Sequence, residues 1–209
     1  MSNTNICDTA INLGDKLKHY FIPDYITNLP IIDAGSNVGN FITKIRERGI
    51  KNHIIAIEPC RTNLKILKDK KFENVEIVPG ALVGLNYSSS TISFTEIEGL
   101  SEWGSTTGIN TNRGLSKGKK NIQYDVPVIT LKDLITSPID YLKMDIEGNE
   151  TEIVTTLTCW LAQHIQQISL EVHNSDSEVL NAILQSFGYL TQWYAADQEL
   201  FGIRQELLK

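Results

Sequence analysis

The stretch Ile31-Ile32-Asp33-Ala34-Gly35-Ser36-Asn37-Val38-Gly39 decides how the chain is read. An apolar run ends there in an acid and two glycines, and an amphipathic pattern follows, so a strand turns sharply into a helix. Gly35 and Gly39 remove the Cβ that would keep a ligand off the turn, and the first N–H groups of the helix have no partners within it. A dinucleotide fingerprint starting at Gly35 requires glycines where Asn37 and Asn40 stand, and a phosphate loop requires Gly at position 40 followed by Lys. Both phosphate readings fail on residues. Asp33 puts a carboxylate at the mouth of the turn, where it repels a pyrophosphate and attracts a ligand carrying an ammonium and a sulfonium. That is the charge pattern of S-adenosylmethionine.

The other half of a nucleoside site follows at residues 53–59, His-Ile-Ile-Ala-Ile-Glu-Pro, a second short buried-strand pattern ending in Glu58. An acid at such a tip can accept both hydroxyls of a ribose. Asp33 and Glu58 are 25 residues apart, compatible with the roughly 20 expected when one helix separates two such strands. Either motif alone is weak; in this order and at this spacing they support each other.

Working outward, a short helix is expected from about Thr9 to Tyr20 and another from Val38 to Arg48, stopped by Gly49. A helix over Asn63 to Lys71 carries Leu64, Leu67 and Lys68 on one side, and a third strand spans 74–80, closed by Pro79 and Gly80. Alternation of strand and helix predicts a parallel, doubly wound α/β sheet. Residues 90–96 and 122–129 read as an inserted pair of strands. The loop between them, Gly99 to Asn121, holds five glycines together with Trp103, Thr106, Thr107, Asn110 and Arg113, a composition suited to a mobile flap over a site. The alternation then resumes with a helix at Leu131 to Ile135, a strand over 139–146, a helix from Asn149 to Ala162, a strand over 168–173 and a final helix. Only four residues, Ala195 to Gln198, separate the last two strand patterns, 189–194 and 199–205, so the sheet must end in an antiparallel hairpin.

Composition fits a single compact domain: 209 residues, 41% apolar and 21% charged. The net charge of −6 argues against a nucleic-acid partner, because counterion release needs clustered cations and the one dense basic patch is Lys117, Lys119 and Lys120. Cys7, Cys60 and Cys159 lack ligand-pair spacing and read as reduced thiols. No stretch approaches the ~18 apolar residues needed to span a bilayer, and the N-terminus lacks the pattern of a signal peptide, so a cytoplasmic location is expected.

Carboxylates in the later strands are physically odd. Asp145 ends a strand buried on both faces, and Glu171 lies near the end of another, where an ionised group costs several kcal/mol unless paired. Both lie at carboxyl strand ends, where open α/β sheets place their ligand crevice. By the strand period of two, Ser169, Glu171 and His173 share one side and Ile168, Leu170 and Val172 the other. Glu147 and Glu150 fall at a helix start, where acids also favour the dipole. His19, His53 and His164 lack such company and are expected to be surface or packing residues. Carboxylate and imidazole donors from Asp145, Glu171 and His173 are compatible with a divalent ion, although no metal is assigned.

These elements resemble the FkbM-type methyltransferases, which use S-adenosylmethionine and mostly methylate hydroxyls of sugars and natural products. The likeness covers roughly residues 30–205. It rests on Ile-Ile-Asp-Ala-Gly-Ser-Asn-Val-Gly at 31–39, Ala-Ile-Glu-Pro at 56–59, Tyr-Leu-Lys-Met-Asp-Ile-Glu-Gly-Asn-Glu at 141–150 and Ser-Leu-Glu-Val-His at 169–173. The 142–150 block is its narrowest signature. The resemblance implies a seven-stranded class I methyltransferase domain over 30–209, with a helical extension at 1–29 and a flexible insertion at about 97–122. It implies cofactor contacts at Asp33, Gly35, Asn37, Gly39, Glu58, Pro59, Ala81 and Asp145. His173 is the expected base, with Asp145 and Glu171 as alternatives. Gly80-Ala81-Leu82 departs from the pattern by offering no acid to the adenine amino group. The reading is methyl transfer to a hydroxyl of a small molecule or glycan; transfer to nitrogen, or cofactor binding without turnover, stays open.

Overall fold

The computed structural model describes residues 9–14, 17–100, 104–107, 112, 115, 117–173 and 176–208. Strand β1 (Ile11–Gly14) and β2 (Leu17–Phe21) form an antiparallel hairpin. The central sheet begins with β3 (Ile31–Ala34), α1 (Asn40–Glu47), β4 (Ile54–Glu58), α2 (Arg61–Lys70) and β5 (Val75–Pro79). A small sheet follows, made of β6 (Ala81–Val83), β7 (Thr91–Ile97) and β8 (Asn121–Thr130) in the order β6-β8-β7. The chain returns through α3 (Leu131–Leu134), β9 (Ile139–Met144), α4 (Glu150–Thr155), α5 (Cys159–His164), β10 (Ile165–Glu171), α6 (Ser177–Ser186), β11 (Tyr189–Tyr194) and β12 (Glu199–Arg204).

The main sheet has seven strands in the order β5-β4-β3-β9-β10-β12-β11, with β12 antiparallel to both neighbours. The expected doubly wound sheet closed by an antiparallel hairpin is therefore present. Its central strands are buried on both faces, as parallel strands must be when helices cover each side. Period-two alternation separates two cores: Ile32, Leu142 and Leu170 pack on one face, while Ile31 and Tyr141 meet Phe41, Ile42 and Ile45 of α1 on the other. Helix α2 buries Leu67 and ends where Lys71 turns left-handed at φ 49°.

The chain start corrects the sequence reading, for a hairpin replaces the helix expected over Thr9 to Tyr20. Leu13 of β1 and, two residues apart on β2, His19 and Phe21 are buried, and the tertiary surface they cover outweighs local helix propensity. Docking adds fixed polar contacts. Gln167 of β10 brackets Ile22 through both backbone groups, at 2.8 and 3.2 Å. Tyr20 donates to Asp197 at 2.6 Å and stacks on Tyr194 with ring centres 3.5 Å apart. The helix expected from Asn149 to Ala162 is likewise two helices. Thr158 interrupts it by accepting the N–H of Leu161 at 3.3 Å, an N-cap that starts α5 afresh.

One crossing fixes the crevice. A Cβ on Gly35, which sits at φ +77°, would lie 1.7 Å from the carbonyl oxygen of Asp145. Gly49 has nearly the same φ, +78°, with nothing within 4 Å of such a Cβ. Gly49→Ala should therefore cost about 1 kcal/mol from backbone conformation alone. Gly35→Ala should cost about 3 kcal/mol or more, because forced chain separation adds to the same conformational term. Urea unfolding of the two variants checks this; equal losses would show that the two chain segments do not constrain each other.

Candidate active site at the carboxyl ends of the central strands

The tips of β3, β4 and β9 and the small sheet enclose a cleft of about 560 Å³, its open mouth included. Gly35, Asn37, Glu58, Pro59, Ala81 and Asp145 line it, so six of the eight residues expected around a cofactor share one cavity. Ile57, Leu82 and Phe94 give it an apolar wall where no acid is available. Gly104 and Thr106 bring the insertion to its edge. Thr106 accepts from Asn149 at 2.6 Å, and Thr107 donates to the Glu147 carbonyl at 3.1 Å. Trp103, Asn110 and Arg113 of the expected flap lie outside the described residues.

Glu58 is 4% exposed. Its Oε1 accepts from the Cys60 N–H at 2.8 Å and the Asn63 amide at 3.3 Å, and its Oε2 accepts from the Asn37 N–H at 2.7 Å. A carboxylate has about four acceptor positions, so one remains, on Oε2. Burial outweighs these hydrogen bonds and pushes the Glu58 carboxyl up to about 7. Asn37 holds its side of the contact at φ 51°, a left-handed backbone.

Two expected residues do other work. Asp33 is wholly buried and does not line the cleft. It pairs in register with Lys143 of β9, whose Nζ stands 3.1 Å from its Oδ1. Neighbouring residues in register point to the same face, so the carboxylate turns toward the ammonium rather than toward a ligand. Gly39 is also absent from the wall. A Cβ there would meet Phe72 at 2.6 Å and Leu67 at 2.9 Å, so its bareness serves the packing of α1 on α2.

Beyond Asp145 lies a second, half-buried cluster. The strand stripe is as expected: Glu171 ends β10, His173 follows it, and both face Asp145. His173 Nδ1 is 3.1 Å from Glu150 Oε1, and its Nε2 lies 3.8 Å from Asp145 Oδ1, 3.4 Å from Glu147 Oε2 and 4.0 Å from Glu171 Oε1. Burial pulls the imidazole down, but the hydrogen bond and charge of Glu150, with Glu147 and Asp145, push it up to about 9. A ring protonated at neutral pH cannot accept a proton, which weighs against His173 as the base. Burial, then the charge of Asp145, pushes Glu171 up to about 7. Asp145 itself is held below the usual range: burial opposes this, but Lys143, His19 and His173 prevail.

Sequence reasoning missed Lys143, His19 and Glu199. Lys143 donates to the carbonyls of Gly35 at 2.6 Å and Ala34 at 3.2 Å. His19, assigned to packing, is 2% exposed and presents Nε2 to Asp145 Oδ2 across 4.0 Å, while its Nδ1 sits 2.9 Å from Glu199 Oε1. Ser169 also hydrogen-bonds Glu199. The available signal was a charged residue in each of two otherwise buried strand patterns, Lys143 and Glu199, since such charges require partners.

A seven-stranded sheet of this order, with the cleft at its carboxyl edge, is the class I methyltransferase fold. The model of the methyltransferase FkbM domain matches residues 33–191, and the chain belongs to that family. An FkbM methyltransferase from Methylobacillus flagellatus KT superposes with TM-score 0.54 at 19% identity, over 84% of this chain and 43% of that one. This chain thus spans less than half the length of that protein. The fibrillarin pre-rRNA processing protein of Methanococcus jannaschii gives TM-score 0.47 at 13% identity, over 98% and 86% of the two chains. Aeropyrum pernix fibrillarin, solved with natively bound S-adenosyl-L-methionine, gives 0.48 at 9%, over 88% and 70%. Comparison with curated proteins finds no match. Among the described residues no helix is long and apolar enough to cross a membrane.

The raised Glu58 carboxyl carries a sign. Folded chain binds this proton up to about pH 7 and unfolded chain only to about 4.5, so the associated stability is full below 4.5 and lost as pH rises through 7. Glu58→Gln cannot titrate. In ligand-free protein its stability relative to wild type should therefore rise between pH 5 and pH 8, by up to about 3 kcal/mol. Urea unfolding at the two pH values measures it, and a flat difference would mean an unperturbed carboxyl.

Proposed function

We propose that the chain transfers a methyl group from S-adenosylmethionine to a hydroxyl of a sugar, glycan or secondary metabolite. The observation that carries this reading is the position of Asp145. Its backbone closes on Gly35 in the cleft, while its carboxylate faces His19, Glu171 and His173, so the cleft and a proton-handling cluster share one wall.

The residues fit the cofactor. The remaining acceptor position on Glu58 Oε2 suits a ribose hydroxyl, and the apolar wall of Ile57, Leu82 and Phe94 suits a purine face without an acidic partner. When bound, S-adenosylmethionine supplies a methyl carbon already activated by its positive sulfur. The acceptor oxygen bonds to that carbon as the carbon–sulfur bond breaks, and the chain must take the hydroxyl proton. Glu171 is the acceptor for that proton. It is a quarter exposed at the crevice, beside Asp145 and 4.0 Å from His173 Nε2. Orientation and exclusion of water supply the rest. The acid-lined mouth and the net charge of −6 disfavour a phosphodiester acceptor.

Calorimetric titration with S-adenosylhomocysteine tests the cleft: binding should be tighter than that of NAD. Glu58→Ala should weaken it by about 1.5 to 3 kcal/mol for each charge-assisted hydrogen bond lost. Glu171→Gln should leave that affinity near wild type while turnover of an acceptor, found by labelled-methyl transfer into a metabolite extract, falls by roughly 10² to 10⁴. Preference for NAD would end the methyl-transfer reading, and unchanged turnover in Glu171→Gln would remove Glu171 from its role.

A further inference from the structure

The acceptor side of the cleft holds more than an acid–base pair requires. Three donors, one oxygen each from Asp145 and Glu147 and a nitrogen of His173, lie within 4.8 Å of one another. His173 Nε2 is 3.4 Å from Glu147 Oε2 and 3.8 Å from Asp145 Oδ1, too far for strong hydrogen bonds. An ion bonded at about 2.0–2.2 Å to each donor would hold them roughly 3.0–3.6 Å apart, so only small side-chain movements are needed to close on one.

The surroundings are built for that geometry. His173 is held through its other nitrogen by Glu150, which is 2% exposed and also accepts the N–H groups of Ile146 at 3.1 Å and Gly148 at 3.1 Å. A buried carboxylate on one imidazole nitrogen fixes the ring and aims the other, the arrangement that supports metal-bound histidines. Glu147 reaches the site from a left-handed backbone at φ 59°, followed by Gly148 at φ 117°, so an uncommon turn is maintained where the donor is delivered. The neighbouring set of His19, Asp145 and Glu171 is less suitable. Lys143 already stands 4.0 Å from the Asp145 oxygen on that side, and His19 is shut in.

We propose that Asp145, Glu147 and His173 bind one divalent transition-metal ion of the Mn²⁺ or Zn²⁺ class, which accepts mixed carboxylate and imidazole donors and displaces the proton on His173 Nε2. Its role rests on the methyl-transfer reading: beside the cleft, the ion would draw in the acceptor hydroxyl and ease loss of its proton to Glu171. Its binding does not rest on that reading and is measured alone.

The test titrates Mn²⁺ into metal-stripped full chain and follows the paramagnetic resonance signal of free Mn²⁺. One equivalent should bind per chain. Glu147→Gln and His173→Gln should each weaken binding at least tenfold, whereas Glu76→Gln, a distant surface carboxylate, should leave it unchanged. Wild type is also titrated with S-adenosylhomocysteine, and the fold of each variant is checked separately by urea unfolding, because Glu147 lines the cleft. Failure to bind one equivalent, or equal affinity in wild type, Glu147→Gln and His173→Gln, overturns the site. Binding of Mn²⁺ without any S-adenosylhomocysteine binding by wild type would uphold the site and end the methyl-transfer reading instead.

Discussion

The buried ammonium of Lys143 is the constraint from which the rest of the site follows. It sits 3% exposed in a strand with no exposed residue, a position an isolated cation could not hold. Burial works to strip its proton, but the charges of Asp33 and Asp145 outweigh that and keep it ionised. Its hydrogen bonds to the Ala34 and Gly35 carbonyls tie the turn after β3 to β9. Removing one member of such a buried pair costs several kcal/mol because the other charge is left uncompensated. Lys143 thus sets the approach of the two strand tips, and that approach in turn requires a glycine at position 35.

The same cluster binds distant parts of the chain together. His19 comes from the N-terminal hairpin and Glu199 from the last strand, both outside the 33–191 span of the family match. Burial lifts Glu199 and lowers His19. Their mutual charge and hydrogen bond reverse the effect on the imidazole, which ends above its ordinary value. Ser169 ties β10 to Glu199 and accepts from the Tyr20 N–H at 3.1 Å. A hairpin that would otherwise be a peripheral cover therefore reaches the wall of the crevice.

The sheet and the cleft were legible because their signals are local. An apolar run ending in Asp-x-Gly, a second ending in Glu, and a final pair of strands too close for a crossover each constrain the chain within a few residues. The hairpin at residues 11–21 was not legible as such. Short segments have weak intrinsic preference, and the surface that selects a strand there is supplied by β10 and β12, far away in sequence. Asp33 illustrates a different failure. Its residue type and place were read correctly, but its partner, Lys143, is 110 positions later, and only strand register shows that the charge is spent internally. For the same reason the surroundings of His173 were not legible: Glu150, Glu147 and Asp145 gather around it only on folding and raise its proton affinity.

Those facts give Asp145 a single state in which to act. Lys143, His19 and His173 surround it, so it stays ionised although it is only partly exposed. A fixed anion raises the cost of a second one beside it, which is part of why Glu171 takes up its proton so readily. On the cleft side Glu58 reaches a similar value through burial, without a neighbouring anion as the main cause. The two carboxyls poised near neutrality therefore answer to different partners. A donor at the remaining Oε2 position would favour the ionised form of Glu58, and positive charge near Asp145 that of Glu171. Because Asp145 forms the wall between them, positive charge in the cleft would favour the ionised form of Glu171.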